Sequence, residues 1–437
     1  MEVKIPICKT RGCLFLLVVL YLLVFNFAYI YLFNSKLGHS YIEYNRQPIG
    51  LYFFSIITLF ALVPLFWLPV YLKKPSALFV WVFYMLCYIP SIYVSAYIHA
   101  LSENQLLVHL FFMAISFGLL SVIPLLPPLH FVCLKINFNY LRFVFAGFSL
   151  LFCLFIWLKF RHILHWNWID TTYIQRELYT NEIKNNNLWG YLIGYVDNAY
   201  APFLIVFGFG CGSFLLMFCG CGCLLLIYFL TASKLTFLAM ALLPLLMIVF
   251  SAIRNDDKII FFILSLTGII TVSSILALFF HTDLLLYVVA RRFLFDSGLG
   301  MAWYWKFFSQ HQLVYLAESI FKFFIQYPYQ FSIPYEVQYF ATGTYGDVNA
   351  NYLASAYANF GLIGMPYFSM ILSVFLWLYD SITKGLDKTM VFMAVMYIAF
   401  LCSNSDLLVA LNTHGIFVWL MLLYLVRSLP KKTYKNI

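Results

Sequence analysis

The chain has 437 residues, 64% of them hydrophobic and only 10% charged, with a net charge of +9 and a mean hydropathy of +0.90. Soluble domains carry about 25% charged residues, so the composition excludes one and describes a polytopic membrane protein. The excess Lys and Arg sits mainly in short connections and at the termini, where it reports membrane topology rather than affinity for nucleic acid.

The N-terminal stretch MEVKIPICKTRGC puts a basic flank ahead of an apolar run. That run is too long for a signal-peptide core and has no small-x-small cleavage site after it, so it reads as a first spanning helix. Crossing a bilayer takes about 20 apolar residues. Runs of that size fall near 13–33, 50–72, 77–98, 105–126, 140–160, 191–208, 212–230, 235–253, 259–280, 352–379, 389–410 and 413–429. The expected fold is all-α, with about twelve transmembrane helices in a single membrane domain over 1–437.

Alternation from a cytoplasmic start places Lys4, Lys9, Arg11, Lys73, Lys74, Lys135, Arg142, Arg254, Lys258, Lys384, Lys388, Arg427, Lys431, Lys432 and Lys435 inside. Short outer segments receive only Lys36, Arg46 and Lys234. By the positive-inside rule both termini are cytoplasmic. Two longer connections, 160–190 and 281–350, then lie outside, and loops of such length are usually functional. The second contains GLGMAWYWKFF and LVYLAESIFKFFI, amphipathic enough to form short interfacial helices.

The first outer loop holds WIDTTYIQRELYTNE, with Asp170, Arg176 and Glu177. Further on, the CGCGC of 219–223 has metal-ligand atoms but no His or carboxylate beside it. In a Gly-rich apolar run such cysteines act as small packing residues. FLTASKLTF brings Lys234 to the outer side, and LLLYVVARRFLFDSG brings Arg291, Arg292 and Asp296. Four outer cations can grip a phosphate, the guanidinium forks bidentately. The alternative is that they snorkel to ordinary headgroups.

Glu318, Glu336, Asp347 and His311 share that loop. Glu318 precedes Lys322 by four residues, the orientation of a helical ion pair, and His311 in FSQHQ also reads as a solvated side chain. GDVNANYLASAYANFGLIGM at 346–365 then repeats Asp347, Asn351, Ser355 and Asn359 every fourth position, one drifting face of a helix. Asp347 reads as the cap of that helix or as a catalytic carboxylate. The seam itself reads either as polar glue beside the small row Ala350, Ala354 and Ala358 or as the wall of a wet cavity. On the cavity reading Pro366 is expected to kink the helix below.

The ordered set YIQRELY, TASKLTFLAMALLPLLMIV, ARRFLFDSGLGMAWYWKFFSQH and NANYLASAYANFGLIGM resembles the bacterial oligosaccharide repeat-unit polymerases, the Wzy-type O-antigen polymerases. The resemblance covers about 173–365 in sequence. It implies a multi-pass enzyme of the bacterial inner membrane with its active site facing the periplasm. Such an enzyme transfers a growing glycan from undecaprenyl diphosphate to the non-reducing sugar hydroxyl of a lipid-linked repeat unit. Its partners are lipid-linked oligosaccharides, membrane lipids, a chain-length regulator and a flippase, with no nucleic acid and no cofactor.

On this resemblance Arg176, Lys234, Arg291 and Arg292 serve the diphosphates, while Asn349, Asn351 and Asn359 border the site. The paired Arg-x10-Gly loop motifs of some members are absent in that spacing, which speaks against a strict two-loop shuttle. The chemistry needs cations for the departing diphosphate and a base for the acceptor hydroxyl. Asp347 leads for the base, followed by Glu336 and His311. No DxD or His/carboxylate cluster calls for a metal. An O-antigen ligase and, from another class, a lipid-linked oligosaccharide flippase are the competing readings. A flippase fits less well, because such carriers show repeated halves and short loops.

Overall fold

The computed structural model describes residues 10–34, 48–132, 136–164, 172–184, 187–281, 283–319 and 321–427. Lys4, Lys9, Lys36, Arg46, Lys135, Asp170, Lys431, Lys432 and Lys435 lie outside the described residues. The described chain is helical, without a β-strand. Ten of its helices are long and apolar enough to cross a membrane, and two shorter apolar helices, Leu51–Phe66 and Lys388–Asn404, account for the other predicted runs. The protein is a multi-pass membrane protein.

In chain order the elements are α1 (Arg11–Asn34), α2 (Leu51–Phe66), α3 (Pro75–Tyr97), α4 (Glu103–Leu125), α5 (Phe138–Phe160), α6 (Thr172–Lys184) and α7 (Leu188–Gly210). There follow α8 (Phe214–Thr231), α9 (Lys234–Ala252), α10 (Lys258–Phe280), α11 (Asp296–Phe308) and α12 (Ile333–Thr342). The last are α13 (Tyr352–Ile382), α14 (Lys388–Asn404), α15 (Leu407–Leu411) and α16 (Ile416–Val426).

Contacts sort the connections into two ends. At one end Ser76 N and Oγ donate to Asp380 at 2.9 and 2.6 Å, Leu129 N donates to Ser381 Oγ, and Lys258 Nζ reaches Thr389 Oγ1 at 3.4 Å. Lys74, Lys258 and Lys388 lie here, so this is the basic end. The other, loop end carries α6, α11 and α12. The central helix is α3, buried along its whole length. Its tyrosines pack as core residues and spend their hydroxyls on neighbouring backbone and side chains: Tyr84 on Ala61 O at 2.6 Å, Tyr88 on Phe60 O and Tyr93 on Thr58 Oγ1. Where no water reaches, a polar group left unsatisfied costs several kcal/mol (about the amide scale).

The CGCGC stretch is a packing seam. A Cβ on Gly220 would stand 2.7 Å from Ala201 O of α7, so glycine lets the two backbones approach. Cys223 is fully buried, with its sulfur 3.8 Å from that of Cys153.

Three expectations for the loop end are corrected. First, α13 does not kink at Pro366. It breaks at Phe360 and Gly361 (φ 63°, ψ −148°), a region of backbone space essentially restricted to glycine. Tyr352 Oη lies 2.9 Å from Ser369 Oγ, although 17 residues of straight helix would separate them by about 25 Å. The segment 352–359 therefore folds back on 362–369 as a half-helix hairpin, and Gly364 packs against the Ala356 carbonyl.

Second, GLGMAWYWKFF does form a helix, α11, but a buried one rather than one lying at the interface. Every residue of α11 except Asp296 and Lys306 is buried. It crosses the bundle near the loop end: Phe295 just before it meets Phe25 and Tyr29 of α1, Gly298 abuts Pro90 of α3, and Trp305 meets His109 of α4. Third, the described residues of LVYLAESIFKFFI form turns, not a helix. Tyr315 and Leu316 both have positive φ, which a continuing helix forbids.

Candidate functional site

The polar seam of 346–365 is mostly structural glue. Asn351, fully buried, is the N-cap of α13: its Oδ1 accepts from Leu353 N and Ala354 N at 3.0 Å, and its Nδ2 donates to Ser297 O at 3.2 Å. Asn359 Oδ1 accepts from Leu316 N at 2.7 Å, and its Nδ2 donates to Ser355 O. Val314 N and Tyr315 N donate to Ala358 O and Asn359 O, so the loop is stitched to the end of the half-helix. The two Asn side chains supply what the helix ends and the loop lack. Asn349 is exposed, and its carbonyl lies against Gly300 so closely that a Cβ there would clash.

Asp347 stands outside the helix, so the cap expected of it belongs to Asn351. Its side chain keeps contact with solvent, yet burial pushes its pKa above the usual carboxylate value. Glu336 is committed to the loop backbone, accepting from Gln330 N at 3.1 Å and Phe331 N at 2.9 Å. His311 is exposed, with Nδ1 2.8 Å from Phe307 O and its ring stacked on Phe307 at 4.1 Å.

Glu318 does not pair with Lys322. Its carboxylate accepts from the Ile333 amide, and burial followed by the charges of Asp406 and Asp347 raises its pKa. Lys322 instead sits 5.0 Å over the Phe323 ring. Without the expected helix, the i,i+4 geometry is lost.

The four cations form two pairs. Arg176 Nη2 donates to Ala232 O at 3.3 Å, which brings it beside the turn that opens α9 with Lys234. Arg291 and Arg292 share Asp296, at 3.2 and 3.4 Å. Arg291 is 13% exposed and Arg292 60%, and Arg291 also lies 4.8 Å over the Tyr287 ring. Both arginines belong to a π-helical stretch, Tyr287–Phe295, a departure often found at functional sites. The pairs are not joined to each other. The elements that carry them both pack on α14: α9 contacts it, while Phe293 meets Phe400 at 5.7 Å and Ser297 Oγ donates to Ser403 O at 2.9 Å.

A second polar centre lies below Arg176 and Lys234. In α7 the residues Val196–Tyr200 are π-helical. Asp197 there accepts from Thr236 Oγ1 at 2.9 Å through Oδ2, while Oδ1 is buried without a partner. The facing helix is interrupted between α15 and α16. Tyr195 Oη donates to Asn412 Oδ1 at 3.0 Å, Trp419 Nε1 donates to Asn198 O at 3.0 Å, and Gly415 has positive φ against Ala199. Irregular backbone at this depth persists only inside protein or beside water. Asp197 was missed in the sequence reading. The signal was there: YVDNAY sets a lone carboxylate well inside a predicted apolar run. Comparisons with protein-family models, with curated proteins and with solved structures find no match for this chain.

Proposed function

We propose that the protein is an oligosaccharide repeat-unit polymerase, an integral-membrane glycosyltransferase acting at the outer face of a bacterial inner membrane. It transfers a growing glycan from its undecaprenyl diphosphate carrier to a sugar hydroxyl of an incoming lipid-linked unit. The observation that carries this reading is the presence of two cation pairs at the loop end on different elements, Arg176 with Lys234 and Arg291 with Arg292. A polymerase must hold two lipid diphosphates at once, one per substrate. A ligase, whose acceptor is a lipid core, and a flippase, which moves one carrier, each need one.

Fixed guanidinium groups stabilise charge gathering on a departing diphosphate. Of the expected bases, Glu336 and His311 already serve local backbone or ring contacts, so Asp347 alone of the three remains unspent. The test is the glycan produced by a deletion strain carrying each variant. Arg176→Ala and Arg291→Ala should each leave single repeat units attached. Full chain-length ladders from both variants would defeat the reading, whereas loss of all attached glycan on deletion would favour the ligase.

A further inference from the structure

Among the described membrane-spanning helices, Asp197 is the one carboxylate far from either end. The others, Glu103, Asp256, Asp257 and Asp380, fall at or near span ends. An ionisable group at membrane depth is costly, and it marks a substrate or proton pathway by default. Asp197 also stands on a π-helical turn facing a broken helix, and it has spent one oxygen and kept the other. Its single partner, Thr236, lies in the first turn of α9, two residues after Lys234. Arg176 meets the carbonyl of Ala232 just before that turn. A carboxylate from α7 and a cation from α6 thus both meet the opening of α9, where Lys234 stands.

We propose that Asp197 is the general base of the transfer and that Arg176 and Lys234 hold the donor's diphosphate, an assignment that rests on the polymerase reading. As the acceptor oxygen bonds to the anomeric carbon, its proton passes to Asp197 Oδ1. The bond from that carbon to the lipid diphosphate breaks, and its electron pair leaves on the diphosphate oxygen between Arg176 and Lys234. The Arg291 and Arg292 pair then anchors the acceptor's diphosphate, which lies a whole repeat unit away from the reacting hydroxyl.

Burial gives Asp197 its advantage over Asp347: its Oδ1 is shut off from solvent, whereas Asp347 is exposed. A solvent-exposed loop carboxylate would activate water as readily as sugar, and the donor would be hydrolysed. Helix α6 roofs the site. Gln175 Nε2 fastens it to Ile163 O and Leu230 O at 2.8 and 2.9 Å, and Tyr179 stands within electrostatic range of Asp197.

The experiment uses the full chain in nanodiscs, with lipid-linked repeat units extracted from a strain lacking the gene. The wild type should build a ladder. Asp197→Asn should slow polymerisation by about a hundredfold or more, the usual worth of a general base, while binding undecaprenyl diphosphate and melting as the wild type does. Thr236→Val provides a second arm that does not remove the base. Losing a hydroxyl that stabilises the carboxylate should move the acid limb of the pH–rate profile upward and lower kcat with KM unchanged. Asp197→Asn that polymerises within a few-fold of wild type, or Thr236→Val with an unmoved acid limb, overturns the assignment and leaves the polymerase reading standing. A wild type that binds the lipid and forms no glycosidic bond overturns the reading itself.

Discussion

The Tyr352 hydroxyl touches Ser369 Oγ at 2.9 Å across the hairpin of α13, and Gly361 makes that contact possible. Its φ of 63° with ψ of −148° is a conformation any Cβ resists. Gly361→Ala should therefore destabilise the protein by about 1–3 kcal/mol, read as a lower melting temperature in detergent. The open space around that Cβ, with Leu313 Cδ1 3.6 Å away, assigns the loss to backbone strain rather than a clash. Tyr352→Phe should cost about 1 kcal/mol through the lost hydrogen bond.

Asn351 holds the other end of the half-helix, and two substitutions separate its two duties. Asn351→Asp keeps an oxygen for the amides of Leu353 and Ala354 and gives up the donor to Ser297 O. Asn351→Ala gives up both, and should cost about 1 kcal/mol more for the cap alone. Hydrogen exchange of 352–359 should accelerate in the order wild type, Asp, Ala. Equal exchange in all three would remove the cap from the account.

Glu318 predicts a pH dependence. Burial, together with Asp406 and Asp347, raises its folded pKa above the reference value of 4.5. The folded state therefore holds the proton more tightly than the unfolded chain does. The stabilisation is complete below pH 4.5 and disappears as pH rises through the raised folded value. Glu318→Gln removes that dependence while leaving an oxygen for the Ile333 amide. Its melting temperature should match or exceed wild type at pH 7, and the two curves should converge or cross as pH falls toward 4.

The helices were legible because a run of about 20 apolar residues has few alternatives in a bilayer. Even the shorter apolar helix over 388–404 announced itself. The connection over 281–350 was far less legible, because 315–325 has the right amphipathic pattern and its described residues form turns rather than a helix. Asn359 takes the Leu316 amide, and the backbone there turns left-handed. The fourfold polar seam signalled a helix face only for Ser355 and Asn359, since Asp347 lies outside the helix and Asn351 caps it, and spacing alone could not tell a cap from a cavity wall. Burial decides it, since Asn351 and Asn359 spend their amides on backbone groups. Asp197 escaped notice for the opposite reason. A single carboxylate hardly alters the mean hydropathy of a run, and its meaning depends on Thr236, 39 residues further on.

Arg291 and Arg292 give the sharpest separation of binding from stability. Arg291 is largely buried, bound to Asp296 and covered by Tyr287, so Arg291→Ala removes an anchor of the π-helical stretch as well as a charge. Arg292 is mostly exposed, and its ion pair is worth under about 1 kcal/mol. Arg292→Ala should therefore melt within about one or two degrees of wild type. If the pair grips a diphosphate, the same variant should weaken binding of undecaprenyl diphosphate several-fold at low salt. The difference should shrink as salt rises, because an exposed charge is screened over about 8–10 Å. Arg292→Lys keeps the charge but loses the fork, and should recover only part of the affinity. Unchanged binding in Arg292→Ala at every salt concentration would take this residue out of the phosphate site and leave Arg291 as an internal brace.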